Sequence, residues 1–286
     1  FDELFTVKHI RVDSVFALKK ILTSKYVQSD MRGVYSQIQA DLYAGKKVMF
    51  CGTPCQVTAL HHFIEQKKLT DNLVLIDFIC HGVPSPRVWD TYKIFLERKL
   101  DGYLKYVNFR DKIRGWHDYS FVAATNSGKR MSESHELNAY MQTFISDKNI
   151  RKSCFSCVCK PNNYFSDITL GDAWAIEKEK PEWADDKGIS FLAVRSQNGD
   201  KLLHKLQEKL KLAETSYEQW CAWNPSLYSS TVQNEGRIQF FKDFMKGDFD
   251  LLWYKESKIA LKKRIRYKCK QISRKLGLES FLRRKI

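Results

Sequence analysis

The chain has 286 residues, enough for one large or two ordinary domains with a substantial core. Hydrophobic content of 43% and aromatic content of 13% argue against disorder, and no apolar run approaches the roughly 18 residues of a membrane-spanning helix. The net charge of +15 is uneven: residues 255–286 carry +11, with only Glu256 and Glu279 as acids, and the rest carries +4, which argues against a nucleic-acid-binding body.

In chain order, "VDSVFALKKILTS" predicts a short amphipathic helix that Asp13 can cap, and "KYVQS" a strand. Asp30 is then placed to cap "MRGVYSQIQADLYAG", whose stripe is Val34, Ile38 and Leu42 and whose end is Gly45. "KKVMFCG" reads as a strand, "PCQVTALHHFIEQKK" as a helix, and "NLVLIDFIC" as an apolar strand buried on both faces of a parallel sheet. "PRVWDTYKIFLERKL" is a further helix, so the first part predicts βαβ units of an α/β fold. Beyond residue 105, "KYVNFRDK" and "YSFVAATNSGKRMSES" predict antiparallel additions, the latter folded at Asn126-Ser127-Gly128. "SDITLGDAWAI" and "GISFLAVRS" follow as strands and "GDKLLHKLQEKLKL" as a helix. The chain ends as a basic helix with Leu261, Ile265, Ile272 and Leu276 on one face. The expected division is a mixed-sheet α/β domain over 1–230 and a helical, strongly basic region over 231–286.

Eight cysteines in a chain this long do not form a small secreted disulfide scaffold. Their clustering points to metal or redox chemistry in a reducing compartment, so the expected location is cytoplasmic, with the tail able to hold the chain at a membrane periphery. "RKSCFSCVCKP" places Cys154, Cys157 and Cys159 within six positions, whereas a thiolate metal site or iron–sulfur cluster normally takes four ligands. The missing pair is sought at the carboxyl ends of parallel strands, where ligands bind in open α/β sheets. Cys55 stands there in "VMFCGTPCQ" and Cys80 in "LIDFICHGVPSP". Thr53, Pro54 and Gln56 form a capped helix start with a Thr-x-x-Gln capping box, so Cys55 lies in a first turn whose free N–H groups stabilise a thiolate. Cys55, Cys80, Cys154 and Cys157 thus form one candidate set, in which Cys159 could replace Cys157. Cys51 reads as core, and Cys221 and Cys269 receive no role. Taken alone, a strand-end cysteine is more often a small buried hydrophobe.

Three further places are open to two readings each. Ser85 caps a helix whose amides suit a phosphate, or merely start a helix. "FRDKIRGWHDYSF" sets Arg110, Lys112 and Arg114 beside Trp116 and Tyr119, as a flavin pocket requires or as a solvated basic loop over a core tryptophan would. Gly171 in "DITLGDAWA" allows close approach of a ligand, or only a turn. His81, following Cys80, is the candidate proton donor, while His61 and His62 read as structural.

"SKYVQS", "GTPCQ", "CHGVPSP", "FRDKIRGWHDYS", "SCFSC" and "SDITLGDAW", in this order over about residues 24 to 175, resemble the beta-subunit family of coenzyme F-420 hydrogenases and dehydrogenases. The resemblance implies a flavoprotein oxidoreductase with FAD and a 4Fe–4S cluster, and F-420 as a candidate co-substrate. It implies electron transfer between a small-molecule carrier and a ferredoxin-like protein or separate iron–sulfur subunit. On this sequence the resemblance puts the cluster on Cys55, Cys80, Cys154 and Cys157. The flavin falls on Lys25, Tyr26, Gln28, Ser29, Thr53, Gln56, His81, Gly82, Ser85, Arg110, Lys112, Gly171, Asp172 and Trp174. Members often carry a ferredoxin-like segment with its own cysteines before the first of these motifs. Here 24 residues without cysteine stand there, so that segment is expected to have been removed, lost or placed on another polypeptide. Two other classes stay open: the same fold with a structural zinc on the four thiols, and a docking protein whose basic tail binds polyanions or an anionic membrane.

Overall fold

The computed structural model describes residues 1–160 and 164–258, together with residues 265, 268, 269 and 272. Apart from those isolated positions, the basic tail expected to be helical lies outside the described residues. From the amino end, α1 (Val15–Leu18) and α2 (Val34–Tyr43) lead to β1 (Val48–Gly52), α3 (Pro54–Glu65), β2 (Leu73–Phe78) and α4 (Pro86–Lys99). A meander of β3 (Leu104–Asp111), β4 (Ser120–Thr125) and β5 (Arg130–Ser134) follows, then α5 (Ala139–Ile145) and a 3-10 turn at Lys152–Ser156. The chain continues through β6 (Ile168–Asp172), α6 (Ile176–Glu179), β7 (Ser190–Val194), α7 (Gln197–Leu206), α8 (Tyr217–Trp223), α9 (Gly236–Met245) and α10 (Phe249–Ser257).

Two sheets result. In the first, ordered β1-β2-β6-β7, the strands β1, β2 and β6 run parallel and β7 is antiparallel. The second is the antiparallel meander β3-β4-β5. This is the mixed α/β architecture the sequence predicts. The hairpin between β4 and β5 turns where expected, with Gly128 at φ +83° and its N–H donating to the Thr125 carbonyl at 3.1 Å.

Packing follows helical periodicity. Ile38 and Leu42 of α2 join Val57, Leu60 and Ile64 of α3 over Phe50, Leu73 and Leu75, all buried. Trp89, Tyr92 and Leu96 of α4 form a second stripe and meet Phe109, Phe121, Tyr140, Phe240 and Trp253. The helices α9 and α10 therefore contribute to the same core as α4 and the meander.

Five expectations need correction. The first helix is one turn long and starts from Ser14 rather than Asp13, leaving Val15 and Phe16 exposed. "KYVQS" forms no strand: its Gln28 N–H donates singly to the Pro84 carbonyl, and the Asp30 N–H just beyond it to Val7. Asp30 does not cap α2, because its carboxylate is spent on Arg32 and Gly33, at φ +74°, opens the helix. Finally, β2 is not buried on both faces. Helix α3 covers the side bearing Leu73, Leu75 and Asp77, while Phe78 at its end is exposed, and on the edge strand β1 Met49 and Cys51 are exposed, so Cys51 is not core.

Candidate metal and cofactor site

Because β1, β2 and β6 are parallel and adjacent, their carboxyl ends share one edge of the sheet, and each delivers candidate residues there. Past β1, Thr53 and Gln56 close the expected capping box, Pro54 occupies the first turn, and Cys55 sits among the free amides. The Thr53 N–H donates to Gln56 Oε1 at 2.9 Å, and Gln56 Nε2 donates to Ser29 Oγ at 2.9 Å, tying the amino-terminal loop to this turn. The Thr53 hydroxyl lies 3.2 Å from the Cys55 sulfur.

Past β2, the Cys80–Ser85 loop pairs with the cysteine cluster. Pro84 and Ile150 form an isolated antiparallel bridge, and the Arg151 N–H donates to the Val83 carbonyl at 3.0 Å. Gly82 has φ +135°, and a Cβ there would meet Ile150 at 2.7 Å and the Cys154 Cβ at 3.3 Å. Only a glycine lets the Cys80 loop lie this close to Cys154. The Cys157 N–H donates to Ser230 Oγ at 3.0 Å.

The thiols perturb one another. Burial pushes Cys80 up to about 12; Lys160 opposes this, and Cys55 and Cys154 add to it. Burial also raises Cys154, with Cys55 and Cys157 contributing. Cys55, Cys80 and Cys154 are therefore mutual electrostatic neighbours around one strand end, with Cys157 beside Cys154. Cys159 is fully buried, 3.7 Å from Thr58 Oγ1 on α3, and burial raises it to about 11.

Two cations in this shell escape a reading by spacing. Lys160 donates to the Cys80 carbonyl at 2.7 Å and to Ser229 at 3.1 Å, and burial lowers it while the surrounding thiols raise it. Arg237, from α9, reaches back to the carbonyls of Lys148 and Ile150 and feels Cys154. The lysine follows Cys159 directly and was findable; the arginine, some eighty residues away, was not.

Past β6 stands an aromatic and cationic cradle. Asp172 accepts from Arg110 at 2.5 Å and from Trp116 Nε1 at 3.2 Å. Trp174 stacks on Trp116, 4.8 Å apart and 3° from parallel, and Arg110 lies over Trp174 and Tyr119. Burial raises Tyr26, whose phenol meets Ser24 and Arg110. The Arg110 atoms Nε and Nη2 are buried with no hydrogen-bond partner, and so is Gln28 Oε1. Unpaired buried donors on a guanidinium are costly unless something accepts from them.

Other predicted residues are engaged structurally. Lys25 donates to the carbonyls of Ile21, Leu22 and Thr23, and Lys112 to Lys187. The Ser85 hydroxyl caps α4. At Gly171 a Cβ would fall 2.4 Å from Ile79, so the close approach there is to a neighbouring side chain. His81 pairs with Asp147 Oδ1 at 2.6 Å and lies against Phe144, which in turn packs on Tyr26. Burial pushes the Asp147 carboxyl up, opposed by His81. His81 thus follows Cys80 in the chain and approaches the cradle through Phe144 and Tyr26. A buried acid that no motif signalled lies nearby: Asp77 is wholly buried and raised by burial, opposed by Thr169, Ser166 and Arg195.

The strand ends of the mixed α/β sheet thus carry thiols past β1 and β2 and a cation–aromatic cradle past β6. The family model for the carboxy-terminal part of the coenzyme F420 hydrogenase/dehydrogenase beta subunit matches residues 45–219, more than half of the chain. The chain belongs to that family, and its general role is redox. No curated protein matches the chain.

Proposed function

We propose that the protein is an iron–sulfur flavoprotein oxidoreductase moving electrons between a soluble, F-420-like hydride carrier and a ferredoxin-like or other iron–sulfur protein partner. The single observation that carries this reading is the convergence of Cys55, Cys80, Cys154 and Cys157 from three separate segments, with half-buried Lys160 facing Cys80, Cys154 and Cys157. Four thiolates with an inorganic centre carry net negative charge, and Lys160 and Arg237 supply the opposite sign beneath them. Cys159 packs into the interior against Thr58, which favours Cys157 as the fourth ligand.

The cradle fits a flavin. Arg110 offers two buried donors without a hydrogen-bond partner and lies over the rings of Trp174 and Tyr119, and Tyr26 closes one side. FAD, when bound, supplies hydride exchange with a small molecule and single-electron exchange with a metal centre. The chain's own residues position and proton-balance the site. Asp172 fixes the Arg110 fork, and the Trp116–Trp174 stack sets the cradle's wall. Asp147 orients the His81 ring, so that His81 can hold a proton at the position after Cys80.

Anaerobic purification tests this directly. The expected product is a brown protein with stoichiometric iron and sulfide and extractable flavin, and Cys80→Ser should lose the iron. A colourless protein carrying zinc would end the redox reading. Iron without flavin after reconstitution would remove the cradle assignment and leave the cluster standing.

A further inference from the structure

The third and fourth turns of α3 hold a group that the redox site does not use. His61 and His62 turn their rings toward each other, with centroids 5.5 Å apart, and Phe165 packs against both at 4.7 Å. Nδ1 of each ring lies 3.7 Å from Glu65 Oε2, and the three ligand atoms lie mutually within 4.8 Å. Adjacent residues on a helix ordinarily diverge by about 100°, so this convergence depends on the ring contacts with Phe165.

At 3.7 Å neither imidazole is within hydrogen-bond reach of the carboxylate. His61 Nδ1 is buried with no hydrogen-bond partner. Exposed His–Glu pairs at these spacings contribute only a few tenths of a kcal/mol, which is too little to account for a buried, unpaired ring nitrogen. A four-coordinate ion with bonds of about 2.0–2.1 Å would separate its ligands by about 3.4 Å. The two His–Glu separations of 3.7 Å need close by only a fraction of an ångström, and the His61–His62 separation lies within 4.8 Å.

We propose that His61, His62 and Glu65 bind a zinc-class divalent cation, with the fourth coordination position open to water or an external ligand. Two imidazoles and one carboxylate select a borderline transition metal over calcium or magnesium, which prefer all-oxygen shells. The His62 and Glu65 side chains are 54% and 60% exposed, so an ion reaches the site from solvent. The site is separate from the Cys55 end of the helix: at 1.5 Å per residue, His62 stands about 10 Å along it from Cys55.

The test uses the iron–sulfur-loaded protein and Zn(II) alone. Calorimetric titration is followed by zinc-edge X-ray absorption on the retained metal. Wild type should retain one zinc with a nitrogen/oxygen shell and melt at a higher temperature with zinc than without it. His61→Gln/His62→Gln should lose that equivalent and its melting shift, and Glu65→Gln, on the solvent side of the helix, should weaken binding at least about 10-fold. A sulfur shell, binding unchanged in either variant, or a wild-type Kd weaker than about 100 µM would overturn the assignment.

Discussion

Arg110 concentrates the chemistry of the cradle in one side chain. It is 10% exposed, its Nη1 is spent on Asp172, and two further nitrogens wait for a partner. Arg110→Ala should cost roughly 3 kcal/mol, the lower end for a broken buried pair because Asp172 is one-third exposed. The double variant with Asp172→Ala should recover part of that loss in urea titrations, whereas flavin content should fall in both. Arg110→Lys keeps the charge but not the fork, and should restore stability better than flavin binding. At the thiols, burial makes the metal-free protein sensitive to alkali. The Cys80 thiol ionises near 9.0 when unfolded and at about 12 when folded. Above pH 9 the unfolded chain loses this proton while the folded one keeps it, so stability is full below pH 9 and declines toward pH 12. Urea unfolding of the metal-free protein at stepped pH should show this decline, and Cys80→Ala should flatten it. Metal ligation requires the thiolate, so loading should be favoured as pH rises.

At the scale of elements, the start of α3 does most to place the site, since one turn carries Thr53, Cys55 and Gln56 and reaches Ser29. Thr53→Ala should cost about 1 kcal/mol, or some 2–4 °C in melting temperature. Gln56→Ala should cost at least as much, because it also releases the Ser29 loop; differential scanning calorimetry reads both. This turn was legible in the sequence because capping chemistry is local: Thr53, Pro54 and Gln56 announce it within four residues. The helices α3 and α4 and the Asn126-Ser127-Gly128 hairpin were legible for the same reason. The stretch from Lys25 to Ser29 was not. Its alternation suggests a strand, but strands need a partner edge, and this segment instead donates its Gln28 amide to Pro84 and is followed by the isolated Lys8–Asp30 bridge. Cys51 misled similarly, since strand register says which residues share a face but not which face a helix will cover. The thiol set could be proposed because parallel strands deliver their ends to one edge. Arg237 and Asp77 could not, because their relation to the site is purely tertiary.

Over the whole molecule, charge and core divide at different places. The described helices α9 and α10 belong to the body: Phe240, Phe244, Leu252 and Trp253 are buried with Trp89 and Tyr92, and Glu256 pairs with Lys148 at 2.8 Å. The excess positive charge lies mainly beyond them, since residues 259–286 carry ten more cations than anions. This separates docking from folding in an experiment. A chain ending at Lys258 keeps every core side chain named above and the Lys148–Glu256 pair. It should melt within a degree or two of the full chain and bind the same iron and flavin. A cut at Lys255 would instead remove Glu256 and leave Lys148 without its carboxylate. If the tail serves an anionic surface, the full chain should sediment with vesicles containing phosphatidylserine at low salt and be released as salt shortens the Debye length, while the chain ending at Lys258 should remain in solution throughout. Equal sedimentation of the two chains would assign adsorption to the body. Failure of both to sediment, with a slower electron transfer to an acidic ferredoxin in the truncated chain alone, would instead assign the charge to a protein partner.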